Sequence, residues 1–146
     1  MMTEKTNPIW RTIKPVFAIV ILAVCTVMLF YGLKETEIEL SDNQIQMKGM
    51  YGMNIDFTDV ENITLLEKSM REIGIGTRTN GFGGFGSTLK GNFESERLGK
   101  YKLFVDADSS PTILIERTHD VDVYISFQDS QKTEDYFSEL SKVTAE

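Results

Sequence analysis

The residue types best suited to chemistry gather in one glycine-rich stretch. Gly81-Phe82-Gly83-Gly84-Phe85-Gly86 has the spacing G-x-G-x-x-G. In a dinucleotide site that spacing needs a strand before it and a helix after it, so that the pyrophosphate meets a helix N-terminus. The residues before it are polar, and Ser87–Asn92 carries no helical stripe. The spacing therefore does not predict a nucleotide cofactor. The same stretch supplies the candidate binding residues Arg78, Asn80, Phe82, Phe85 and Lys90. Two aromatics and two bases on a flexible loop could grip a peptide or a membrane surface. The competing reading is structural: both phenyl rings fold back over an open sheet edge while glycines make the bends.

Two further constellations carry less. Asp106, Asp108, Asp120 and Asp122 are the kind of ligands calcium takes. In a hairpin the two pairs fall at opposite ends of the sheet, which predicts solvated turn carboxylates and no metal site. His119 beside Asp120 has the makings of a general base. No Ser or Cys nucleophile can be placed next to it from spacing, so no catalytic residue and no enzyme activity are predicted. His119 is the single histidine and Cys25 the single cysteine. The chain thus has too few N and S ligands for a zinc cluster, and it can form no intrachain disulfide.

The elements that must position these residues begin with Val16–Leu33, a run without charge or proline. As a helix it would reach about 27 Å, near the roughly 30 Å hydrocarbon core of a bilayer. Its eleven Leu, Ile, Phe and Val residues sum to roughly −5 kcal/mol on an insertion scale. Trp10 and Tyr31 suit the two interfaces, and Arg11, Lys14 and Lys34 flank the run. A cleaved signal would need small residues at a cleavage site, where Phe-Tyr-Gly-Leu-Lys-Glu stands. A lipoprotein would need a small residue before its cysteine, where Val24 stands. A soluble core helix would show a polar face. A retained single-pass transmembrane helix at 16–33 is the expectation, following an N-terminal tail at 1–15. Lys5, Arg11 and Lys14 before the run put the N-terminus in the cytoplasm and the domain outside by the positive-inside rule.

Net charge is −7 overall; the first 33 residues hold one acid and three bases, which leaves −9 on the remaining 113. Phosphate backbones and anionic headgroups repel such a domain, so a nucleic-acid partner is not predicted. After the run, hydrophobicity alternates with period two. Glu37–Leu40, Gln44–Lys48 and Met53–Phe57 read as a three-stranded antiparallel meander. Thr58–Asn62 reads as a helical turn capped by Thr58, and Ile63–Leu66 as a fourth strand. Lys68–Ile75 would extend it or begin another. Gly74–Gly91 reads as a long loop. Lys100–Val105, Thr112–Arg117 and Val121–Phe127 are strands. A last helix capped by Asp129 or Ser130 runs to Val143 with Tyr136, Phe137, Leu140 and Val143 as its stripe.

Thr77-Arg78-Thr79-Asn80-Gly81-Phe82-Gly83, Gly99-Lys100-Tyr101-Lys102-Leu103-Phe104-Val105 and Tyr136-Phe137-x-x-Leu140 resemble the bacterial pleckstrin-homology (PH) domain family. Its pattern is an R-T-N-G-x-G loop, a G-x-Y-x-L/F-x-V strand and a closing helix. The resemblance covers Thr36–Val143 and implies a mainly β, PH-like domain at 36–146. That fold is a bent antiparallel sheet or partly open barrel of six to seven strands, capped by the C-terminal helix. It also implies a bacterial cell membrane protein, since members often carry N-terminal membrane helices. Eukaryotic relatives bind phosphoinositides through a basic first hairpin. Here that hairpin is Leu40-Ser41-Asp42-Asn43-Gln44, which does not predict phosphoinositide binding. The expected function is a protein- or peptide-binding or assembly module, held to the lipid bilayer by Val16–Leu33 and recognising a protein partner. The alternative is a small-ligand receptor or enzyme using the glycine-rich loop.

Overall fold

A computed structural model describes residues 7–84 and 86–145. The chain divides into two compact units, Met1–Tyr31 and Gly32–Glu146, and each is described by itself.

The first unit is helix α1, Pro8–Leu33, which runs into the start of the second. It begins eight residues before the expected span, so the tail reading of 1–15 is corrected from Pro8 onward; Met1–Thr6 lie outside the described residues. The early start has a local cause. Proline suits the first helical turn, where its missing N–H has no intrahelical partner, and Trp10 N–H donates to Asn7 O at 2.9 Å. Pro15 sits inside the helix, where its ring removes the bond to the Arg11 carbonyl. The helix is long and apolar enough to cross a membrane, its most apolar 18-residue window having a mean hydropathy of 2.7. Among the described residues, every large apolar side chain that is exposed lies on α1, save Tyr51.

The second unit is mainly β. Strands β1 (Glu37–Leu40), β2 (Gln44–Lys48) and β3 (Met53–Asp56) form the expected antiparallel meander. Alternate residues Ile38, Ile45, Met47 and Ile55 are buried on one face. The rest is a six-stranded sheet built from β4 (Val60–Leu66), β5 (Thr77–Phe82), β6 (Thr88–Ser95), β7 (Gly99–Asp106), β8 (Thr112–Arg117) and β9 (Asp122–Ile125). Its order is β4-β8-β9-β7-β6-β5. Among the described residues the two sheets do not join into a closed barrel.

The meander covers one face of the larger sheet. Its apolar residues pack against Phe104, Ile113, Ile115, Val123 and Ile125, and helix α3 (Ser130–Thr144) adds Leu140 to the same core. The opposite face carries a second cluster of Phe93, Tyr101, Leu103, Val105 and Tyr124, covered by Met70 of the short helix α2 (Met70–Ile73). Strands β7 and β9 are therefore buried on both sides. Asp129 caps α3, accepting from Gln131 N–H at 3.0 Å. The Tyr136 hydroxyl donates to Ile38 O at 2.6 Å and ties α3 to β1.

Several expectations are corrected. Among the described residues the strands number nine rather than six or seven, because the glycine-rich stretch pairs as a hairpin instead of looping. The larger sheet is not wholly antiparallel: β9 lies between β7 and β8 and runs parallel to β7. Thr58 caps nothing; a 3-10 turn occupies Phe57–Asp59, and Val60 already pairs with Arg117 so that Val60, Ile63 and Leu65 reach the first core. Lys68–Ile75 is not strand. Ser69 accepts from Glu72 N–H at 3.3 Å while the Glu72 carboxylate accepts from Ser69 N–H at 2.8 Å. That capping box turns the chain into α2.

Candidate functional site

The candidate site is the β5–β6 hairpin and the segment that leans on it. Gly81 faces Gly91 across the two strands. A Cβ on Gly91 would lie 2.5 Å from Asn80 O and 2.6 Å from Gly81 Cα, and Gly91 has φ of +114°. The strands approach too closely for any side chain at this pair. The glycine spacing thus serves β-pairing, and the turn leads into strand β6 rather than into a helix.

The predicted binding residues separate into two groups. Arg78 and Asn80 are exposed on β5, the outer strand of the sheet. The Arg78 guanidinium donates to Gly83 O at 2.9 Å and so braces its own turn. Register shifts between Arg78 and Asn80, and the Thr79 hydroxyl donates to Asn92 O at 3.2 Å. Phe82 and Lys90 are a cross-strand pair further along the hairpin. The Phe82 ring lies against Gly32, leaving no room for a Cβ there. Lys90 is 3% exposed, and its ammonium donates to the Lys34 carbonyl. Phe85 lies outside the described residues. Arg78 and Asn80 therefore sit on an open edge, while Phe82 and Lys90 sit under the segment that leads into β1.

That segment is fastened along its length. Glu35 accepts from Gln128 N–H at 2.8 Å and from Lys132 Nζ at 3.0 Å. Thr36 is 7% exposed, and its hydroxyl has no hydrogen-bond partner among the described residues. Thr36, Lys90, Ser126 and Asp106 line a cavity of about 60 Å³. Burial pushes the Lys90 pKa down, the like charge of Lys34 adds to this, and Glu35 opposes it. Nothing in the sequence pattern marks Thr36 or Ser126 as members of this group. Their position depends on how the segment before β1 folds over β6.

A second groove of about 350 Å³ lies beside β5, lined by Thr79, Asn92, Glu94, Lys100, Lys102 and Val121, among others. Thr79 comes from the edge strand itself, so the groove opens onto that edge.

The remaining predicted groups lie elsewhere. Asp106 accepts from Ser87 Oγ at 2.7 Å, Ser109 Oγ at 3.0 Å and Asp108 N–H at 3.2 Å. Asp122 starts β9 opposite Tyr101, at the far end of β7 from Asp106. Among the described residues, no three His, Cys, Asp or Glu side chains converge as metal ligands. His119 is an exposed turn residue whose backbone N–H donates to Asp59 Oδ1 at 2.9 Å. The sequence reading missed the pair behind it. Arg117 and Asp59 meet at 2.7 Å with side chains 8% and 14% exposed. Arg117 Nη1 also stands 3.3 Å from Asp120 Oδ2, an ion-pair contact without hydrogen-bond geometry. The His119 N–H, then Arg117, hold the Asp59 carboxyl below its ordinary range, against the opposing pull of burial.

No protein-family model, curated protein or solved structure matches this chain.

Proposed function

We propose that the chain is a single-pass, membrane-anchored binding module of PH-like architecture, with no catalysis, that takes up an extended segment of a partner protein along β5. The carrying observation is the state of that edge. Among the described residues β5 pairs only with β6, and its residues Thr77, Arg78, Thr79 and Asn80 are all exposed. The other edges are shorter or occupied. β1 and β3 are four residues each, with the Ile38 carbonyl of β1 already taken by Tyr136. β4 is packed against by α3. An unpaired edge offers main-chain donors and acceptors to an added strand, and a neighbouring groove gives room for its side chains. The groove at Thr79, Asn92 and Lys102 supplies that room.

The PH-like reading is supported by a β-rich domain closed by a C-terminal helix that packs on its core. Membrane anchoring is supported by the length and hydropathy of α1. We place the protein in a bacterial cell membrane with its N-terminus cytoplasmic, on the bias of Lys5, Arg11 and Lys14.

Site-specific photo-crosslinking in membranes tests the edge. A crosslinking side chain at Asn80 is expected to give a discrete adduct, and the same group at Glu39 on β1 none. Equal adduct patterns from both positions would remove β5 as the docking edge. A C-terminal reporter active on one side of the membrane tests the orientation.

A further inference from the structure

We propose that the cavity beneath the segment Leu33–Thr36 holds one small monovalent anion, of the size of chloride or formate, against the Lys90 ammonium and the Thr36 hydroxyl. This site is independent of the β5 docking reading, since Lys90 and Thr36 are buried, whereas that reading rests on the exposed residues Thr77, Arg78, Thr79 and Asn80.

A buried charge needs a counter-charge or full hydrogen bonding. Lys90 has neither. Its ammonium carries three donors and among the described residues makes one bond, to Lys34 O. Lys90 forms no ion pair with any described residue. The two acids lining the cavity are already engaged. Both oxygens of Glu35 are taken, by Gln128 N–H and Lys132. Both oxygens of Asp106 are taken, by Ser87, Ser109 and Asp108 N–H.

The second observation is independent of the first. Thr36 lines the same cavity, and its Oγ1 is buried and has no partner among the described residues. Buried hydroxyls are almost always bonded, so an orphan marks a missing neighbour. An anion between the two accepts from Lys90 and Thr36 together and answers both deficits. The cavity, about 60 Å³, exceeds the roughly 30 Å³ share of one water. Leu33, Glu35 and Gln128 also line it, so an occupant would also pin the segment that enters β1.

The test uses the intact chain in detergent micelles. Thermal unfolding is followed while sodium chloride or sodium formate is added, in the wild type and in Lys90→Met, which keeps the length and removes the charge. At ten times the dissociation constant the wild-type melting temperature is expected to rise roughly 5 °C more than that of the variant. Taking the difference removes general salt effects. Chloride-35 line broadening on the wild type gives a second readout that needs no stable Lys90 variant. Formate should relieve the broadening, and Thr36→Val should weaken chloride binding about tenfold. Equal rises in wild type and Lys90→Met would overturn the proposal. So would chloride broadening that formate does not relieve or that Thr36→Val leaves unchanged. Absence of any anion effect would leave water alone in the cavity and overturn it as well.

Discussion

The three-stranded sheet and the β5–β6 hairpin reach the same kind of pairing by opposite means. In the first, Ile38, Ile45, Met47 and Ile55 drop onto one face and are almost wholly buried. In the second, Gly81 and Gly91 face each other with no side chain between them. The hairpin is steadied from outside the pairing: Phe82 against Gly32, and Lys90 on the Lys34 carbonyl. Apolar periodicity in a sequence reports burial of side chains, and backbone pairing can proceed without it.

Core truncation should show the largest effect. Ile45→Ala removes a side chain of 0% exposure from the first core and is expected to cost about 2–5 kcal/mol. Urea unfolding of the intact chain in detergent measures it. Hydrogen exchange should rise across both sheets together, because the first core joins them. Gly91→Ala comes next. It forces a Cβ against Asn80 O at a backbone angle of φ +114°, at a cost of about 1–3 kcal/mol in strain. Its exchange signature should be confined to β5 and β6. Uniform exchange in both variants would erase the contrast between the regions.

The same contrast explains what the sequence disclosed. β1 and β2 were legible to the residue because each has one wet face, and β8 was legible as an apolar run between turns. The final helix was legible from its cap and its stripe of Tyr136, Phe137 and Leu140. The span of α1 was legible in its apolar part, but its first turns were not, since Pro8 and Pro15 read as breaks. β5 was hidden because Thr77–Asn80 is polar throughout and Gly81 has no side chain to alternate. The parallel placement of β9 was hidden because strand order depends on which faces meet, and no local pattern records that. Of the candidate site, Lys90 and Phe82 were picked out by residue type, while their burial beneath Gly32–Thr36 comes only from the fold. Thr36 carried no signal at all, and Asp59 and Arg117 lie 58 residues apart in the chain.

A smaller effect sharpens the account of α2, which covers the second core beside the hairpin. Ser69→Ala removes one half of its capping box and is expected to cost about 1 kcal/mol. Restoring the hydroxyl with Ser69→Thr should recover most of it. Full stability in Ser69→Ala would mean that burial of Met70 alone holds this turn.

The last prediction concerns the exit of the three-stranded sheet, where β3 passes through Phe57–Asp59 to β4. Thr118 N–H donates to Asp59 O at 2.9 Å and His119 N–H to its carboxylate, so this exit is bolted to the turn between β8 and β9. The folded-state pKa of Asp59 is lowered, first by the His119 N–H and then by Arg117. Proton counting gives the sign: the unfolded chain takes up a proton at about pH 3.9, before the folded chain does. The contribution is therefore complete above that value and is lost as pH falls through the lower folded value. Glu37, lowered by Lys34, titrates in the same direction, so wild type must be compared with Asp59→Asn. Between pH 5 and 3 the wild type is expected to lose stability more steeply than the variant. Exchange at the Thr118 and His119 amides should rise over the same interval while β5 and β6 stay unchanged. Parallel acid profiles in the two proteins would mean that the Asp59 carboxylate is not what fastens the exit.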